Sequence, residues 1–206
     1  MLEQASISVP RQTAEVLLAH AMRVERVYFY AHPEQELREL EWLHYGRYLH
    51  LRLNGTPTQY VIGHQEFYSR EFYVTPGVLI PRPETEHVVE VALEVARGAG
   101  RVLDIGTGSG ALAVTLHLET GVETWATDIS AVALRVASRN AAALNAKVNF
   151  VRCDLMESIA AASMELVVSN PPYVPLTERD TSSRLTCAWR KLPPARARDS
   201  SRRLMI

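Results

Sequence analysis

Val102-Leu103-Asp104-Ile105-Gly106-Thr107-Gly108-Ser109-Gly110 is an apolar run that passes without interruption into alternating glycines. Four residues of buried-strand character followed by such a loop predict a strand whose carboxyl end turns sharply and lets a ligand approach the backbone closely. Beyond it strand and helix alternate. Residues 111–117 read as a helix and Thr124-Trp125-Ala126-Thr127 as a strand; 133–144 is a helix carrying Leu134, Ala137, Ala141 and Leu144 on one face, and 148–151 and 166–168 are two more strands. This alternation predicts an α/β fold, a mostly parallel sheet with helices on both faces.

Asp128 ends the second strand, eighteen residues past Gly110, where a carboxylate can accept both ribose hydroxyls of an adenosine group. Gly106, Gly108 and Ala111 also satisfy the looser dinucleotide fingerprint, so loop and acid point to an adenosine-type cofactor without separating NAD from S-adenosylmethionine. Cys153-Asp154-Leu155 closes the third strand and offers a polar and an apolar group to an adenine ring; Asp154 reads equally as the cap of a following helix.

The fourth strand ends in Asn170-Pro171-Pro172-Tyr173. In isolation this is a strong turn. At the carboxyl end of a strand beside a cofactor loop it acquires chemistry. The prolines lock the backbone, Asn170 offers one amide acceptor and two donors, the Pro171 carbonyl is left outside the ladder, and Tyr173 supplies a flat face. That constellation suits a planar amino group and methyl transfer to nitrogen, and it has no evident use in hydride transfer.

Upstream, residues to about 53 carry helical periodicity: Ala14, Leu17, Leu18 and Ala21, then Leu37, Leu40, Leu43, Tyr48 and Leu51. They predict a small bundle with Tyr28, Tyr30, Trp42 and Tyr45 in its core. Asn54-Gly55-Thr56-Pro57 marks a boundary, and 66–74 reads as an aromatic-rich hairpin turning at Ser69-Arg70. Leu79-Ile80-Pro81-Arg82-Pro83-Glu84-Thr85-Glu86 then starts a helix whose apolar positions are Val88, Val91, Ala92 and Val95. The same stiff segment also reads as one wall of a ligand site, with Arg82 directed at an anion.

Composition narrows the class. Of 206 residues, 47% are hydrophobic and 22% charged, as in an ordinary globular protein. Met1-Leu2-Glu3-Gln4 does not begin a secretory signal, and no apolar run approaches the ~20 residues of a membrane span. Cys153 and Cys187 have no paired spacing and the seven histidines no i, i+4 pair, so neither a disulfide nor a metal site is expected. Eight basic and three acidic residues lie from Leu176 onward; the body before them holds 14 basic and 20 acidic. An acidic body argues against tight binding of bare nucleic acid.

Taken together, Gly55-Thr56-Pro57 with Gln59-Tyr60 and Gly63, the segment from Leu79 through Glu86, the glycine loop and Asn170-Pro171-Pro172-Tyr173 resemble the protein-(glutamine-N5) methyltransferases that modify translation release factors, over roughly 10–181. The resemblance implies an incomplete class I methyltransferase (Rossmann-like) parallel sheet preceded by a small helical bundle and a β-hairpin linker. The implied division is a docking bundle at 1–54, hairpin and proline-rich linker at 55–86, S-adenosylmethionine-binding domain at 87–181, and a basic tail without regular structure at 182–206. It places the cofactor against Asp104, Gly106, Thr107, Gly108, Ser109, Gly110, Asp128, Ile129, Asp154, Leu155 and Asn170, and the glutamine amide against Asn170, Pro171, Pro172 and Tyr173. The implied partner is a release factor, met by a cytoplasmic or mitochondrial monomer without direct nucleic acid or membrane contact.

After Thr181 neither helical nor strand period continues, where the family adds further strands. The expected consequences are a bare apolar edge at 166–168, weak stability and little catalysis. A non-catalytic binder and an adenine-directed nucleic acid methyltransferase are the competing readings.

Overall fold

The computed structural model describes residues 7, 9–160, 163–170 and 203–205. By internal contacts the chain divides into two compact units, Met1–His64 and Gln65–Ile206.

The first unit is helical. Helix α1 (Pro10–Met22) opens on a proline at its first position, where a missing N–H costs nothing, and ends at Arg23, whose left-handed backbone lets its N–H reach the Ala19 and His20 carbonyls. A short α2 (Tyr28–Ala31) follows. Helix α3 (Glu39–Leu53) starts on a capping box in which Glu41 accepts from the Arg38 backbone N–H at 2.8 Å while pairing with the Arg38 guanidinium. Glu39 and Glu41 in its first turn and His50 and Arg52 in its last complement the helix dipole. The chain then turns through Gly55 (φ 89°) into α4 (Thr58–Ile62), which packs on α1 and α3, so this unit reaches ten residues beyond the turn at Asn54. The expected aromatic core is not found: Trp42 is 65% exposed and Tyr30 70%, with Tyr28 and Tyr45 half-buried. An apolar residue at helical spacing needs a neighbouring surface to cover it, and spacing does not supply one.

The second unit begins with a hairpin, β1 (His64–Phe67) and β2 (Arg70–Tyr73). Its turn is Tyr68-Ser69, one residue earlier than expected, with φ of 50° and 57°. Glu86 accepts from the Tyr68 N–H at 2.9 Å and Arg70 donates to the Tyr68 carbonyl, so two charged side chains hold a left-handed turn without glycine. Phe67 and Phe72 meet edge to face at 6.0 Å beneath it, both fully buried.

Helix α5 (Glu84–Ala96) buries Val89, Ala92, Leu93 and Ala96, with Val88 and Val95 partly buried against the same core; of the expected face, Val91 is exposed. Strand β3 (Arg101–Ile105), helix α6 (Ala111–Thr120), strand β4 (Glu123–Asp128), helix α7 (Ala131–Ala143), strand β5 (Val148–Arg152), strand β6 (Leu166–Ser169) and strand β7 (Arg203–Met205) complete the described chain. The five strands form one sheet in the order β5-β4-β3-β6-β7, all pairs parallel. Helix α7 buries Ala133, Val136, Ala137, Asn140 and Ala141, a face shifted by one from the apolar pattern and containing a polar residue.

Strand β6 is not a bare edge. Leu166, Val167 and Val168 pair in register with Arg203, Leu204 and Met205, so part of the segment expected to lack regular structure supplies a strand. A β ladder is satisfied by backbone groups, which any extended segment provides irrespective of its side-chain period. Among the described residues no helix is long and apolar enough to cross a membrane.

In the sheet, Ile105 stands level with Thr127 of β4 and Ser169 of β6. The carboxyl ends of three neighbouring strands therefore finish together, where the strand order reverses at β3. Ligands gather at this position in open parallel sheets.

Candidate functional site

A cavity of about 560 Å³ opens at those strand ends. One wall is the glycine loop. Gly106, Gly108 and Gly110 all have positive φ, and a Cβ built on Gly106 or Gly108 meets no atom within 4 Å, so both face open space. Gly110 differs: it does not line the cavity, and its added Cβ falls 2.9 Å from Ala137 of α7, so its role is helix packing.

The loop is braced at each step. The N–H groups of Gly106 and Thr107 donate to the Thr127 carbonyl at 2.8 and 3.0 Å. Thr107 donates its hydroxyl to Asp104 at 2.7 Å, and the Gly108 N–H donates to Asp128 Oδ2 at 3.0 Å. The other Asp128 oxygen accepts from the Ser130 N–H at 2.8 Å, and Ser130 caps α7. Asp128 thus ties the loop to the next helix and stands with Ile129 at the cavity rim.

Asp104 is 1% exposed and lines the floor. Burial pushes its carboxyl up to about 7; the Asp128 charge adds to this, while the Thr107 hydroxyl and the Ala113 backbone N–H in the first turn of α6 oppose it.

Asp154 and Leu155 line the cavity beside Asp128 and Ile129, since Arg152 of β5 pairs with Asp128 of β4. Leu155 adopts φ 52°, a left-handed backbone unusual for a branched side chain, and its carbonyl accepts from Thr127 Oγ1 at 2.6 Å. The proline-rich segment supplies a further wall through Leu79, Ile80 and Pro81; Arg82 is exposed and is not among the cavity residues.

Asn170 also lines the cavity, brought there by Ser169, whose hydroxyl donates to the Ile105 carbonyl at 2.8 Å. Its Nδ2 donates to Thr85 Oγ1 at 2.8 Å. Pro171, Pro172 and Tyr173 lie outside the described residues.

Three supporting residues escaped the reading of the chain: Thr85, Thr127 and Asn140. Asn140, on the buried face of α7, accepts from the Tyr73 N–H at 2.8 Å and donates to the carbonyls of Tyr73 (2.9 Å) and Ser109 (2.8 Å). One satisfied amide thereby joins hairpin, glycine loop and helix, and Arg139 lies over the Tyr73 ring at 3.6 Å. An asparagine at a buried helical position was the one available signal.

Residues 1–63 match the family described as PrmC N-terminal domain, and residues 86–190 the family described as Methyltransferase small domain. The release factor glutamine methyltransferase of Koribacter versatilis is 46% identical over 187 residues, covering 89% of this chain and 67% of that protein. That of Nitratidesulfovibrio vulgaris is 40% identical over 188 residues, covering 89% and 64%. The chain spans about two thirds of the length of these curated relatives. Among solved structures, the T. thermophilus 16S rRNA N2 G1207 methyltransferase in complex with AdoMet and guanosine aligns at 24% identity and a TM-score of 0.47, over 54% of this chain and 32% of that one.

Proposed function

This chain belongs to the release factor glutamine methyltransferase family, and on that premise we propose that it transfers a methyl group from S-adenosylmethionine to the side-chain amide nitrogen of a glutamine in a release factor. The observation that carries this reading is that the glycine loop, Asp128 and Asn170 share one cavity.

The residues present fit the cofactor. Gly106 and Gly108 leave open space where a Cβ would otherwise intrude, and Asp128, Ile129 and Leu155 line the same cavity, where the acid would accept ribose hydroxyls and the apolar pair would border an adenine. Asp104 and Asp128 put carboxyl groups beside a ligand that carries positive charge. When bound, S-adenosylmethionine supplies a methyl group activated by its sulfonium.

The protein's task is to aim the acceptor. An amide nitrogen is a poor nucleophile because its lone pair is delocalised into the carbonyl. Asn170 Oδ1 accepts one of its N–H groups, which polarises the nitrogen and fixes its direction; the family resemblance assigns the other N–H to the Pro171 carbonyl and the amide plane to Tyr173. No strong base is required until charge develops on nitrogen. Orientation and fixed dipoles contribute on the order of 7–11 kcal/mol at best. The helical unit docks the release factor, the protein acts as a monomer without direct nucleic acid contact, and the bacterial relatives support a cytoplasmic setting.

Calorimetric titration with S-adenosylmethionine followed by a transfer assay tests this. Methyl incorporation into a glutamine of a release factor, and none into an adenine-containing oligonucleotide, is the expected result. Cofactor binding without transfer would make the chain a non-catalytic binder, and transfer to adenine would overturn the choice of substrate.

A further inference from the structure

Thr85 is 8% exposed, sits in the first turn of α5 and lines the cavity. Its N–H donates to the Arg82 carbonyl at 3.0 Å, and four residues on, Val89 anchors the same helix in the core. The hydroxyl is therefore held by a rigid element between two prolines and a buried valine. It accepts from Asn170 Nδ2, across 85 residues of chain.

We infer that Thr85 is the positioning residue of the substrate side, fixing which end of the Asn170 side-chain amide is offered to an acceptor in the cavity. A primary amide is nearly symmetric in shape but opposite in hydrogen-bonding sense at its two ends, and a 180° turn exchanges them. With Nδ2 committed to Thr85, Oδ1 is the end left for a ligand; among the described residues it has no other partner. A turned amide would present N–H to N–H, and an incoming planar amide or amino group would be repelled. A hydroxyl can accept from Nδ2 or donate to Oδ1; here it is Nδ2 that stands on Thr85, the orientation that leaves Oδ1 for a ligand, and Thr85 acts without touching the substrate.

This rests on the glutamine reading above, and its test separates the two. The full chain, labelled with nitrogen-15, is observed at the Asn170 side-chain NH2, identified by its loss in Asn170→Ala. Thr85→Val keeps the shape and removes the acceptor; Thr85→Ser restores it. The expected result is that Thr85→Val shifts the Asn170 NH2 resonances and weakens binding of N-acetylglutamine methylamide roughly 10-fold, while Thr85→Ser returns both toward the original values. Cofactor affinity and resonances distant from the site stay in place in both variants. In a transfer assay Thr85→Val lowers kcat, and it has no added effect in an Asn170→Ala background.

Unchanged Asn170 NH2 resonances in Thr85→Val would mean that the hydroxyl donates to Oδ1 instead, and would overturn the inference. If Thr85→Val moves those resonances but the glutamine amide perturbs Asn170 in neither protein, Thr85 still orients Asn170, and the glutamine reading is what falls.

Discussion

The two sides of the cavity are built differently. The proposed cofactor side is braced repeatedly, by Asp104 with Thr107, Asp128 with Gly108, Thr127 with two loop N–H groups and with Leu155, and Asn140 with Ser109. On the proposed substrate side, among the described residues, the Asn170 side chain bonds to Thr85. A loop that must fit one unvarying cofactor gains from rigidity in every direction. A clamp that admits a protein side chain, as proposed for Asn170, needs a determinate orientation of its amide.

The contrast can be broken first at Asn140. Asn140→Leu leaves the Tyr73 N–H and two carbonyls buried without partners, and is expected to cost about 3–5 kcal/mol of stability by urea unfolding. A loss below 1 kcal/mol would show that the cofactor side does not depend on this bracing. Asp104 comes next. Its folded-state carboxyl lies near 7, above its ordinary value of 3.8, so in that interval the folded protein binds the extra proton. Its contribution to stability is complete below about pH 4 and falls as pH rises to about 7, on the order of 4 kcal/mol in all. Measured as the difference from Asp104→Asn across that range, a flat profile would contradict it.

Asn170→Ala probes the other side. It should lower methyl transfer by roughly 10²–10³-fold, about 2.7–4 kcal/mol, with cofactor affinity little altered; near-normal transfer would remove Asn170 from the reaction. The glycines give the smallest effects. Gly110→Ala forces a Cβ against Ala137 in a left-handed backbone and should destabilise by about 1–3 kcal/mol in thermal unfolding. Gly106→Ala meets no atom, so its stability cost should be near 1 kcal/mol, with the larger loss appearing in cofactor binding. Equal behaviour of the two glycines would erase the distinction between packing and ligand-facing positions.

The sheet and the glycine loop were legible because each is written in consecutive residues: an apolar run, then glycines, then an acid ending the next strand. Helix faces were legible to within one position. Val91 has the right chemistry for the stripe it shares with Val88, Ala92 and Val95, yet it is exposed while Val89 and Leu93 are buried, because the covered side of α5 is decided by what the helix packs on. The Tyr68-Ser69 turn carried no glycine to announce it, and its stabilising carboxylate, Glu86, lies eighteen residues away. Asn140 and Thr85 were obscure for the same reason: their partners are 67 and 85 residues distant. Strand β7 has no strand-like period in its sequence, and its register with β6 is what marks it as a strand.

Those separations set an order of assembly during synthesis. Asp104 finds Thr107 within three residues, and Gly108 waits only twenty for Asp128. Thr85 must wait for Asn170, and at about 5–20 residues per second that interval is roughly 4–17 s. A nascent chain therefore carries the complete glycine loop and its acid before the amide clamp exists. From Asp128 to Asn170 is 42 residues, roughly 2–8 s at that rate, so β3, β4 and the glycine loop can pair before β6 arrives beside them.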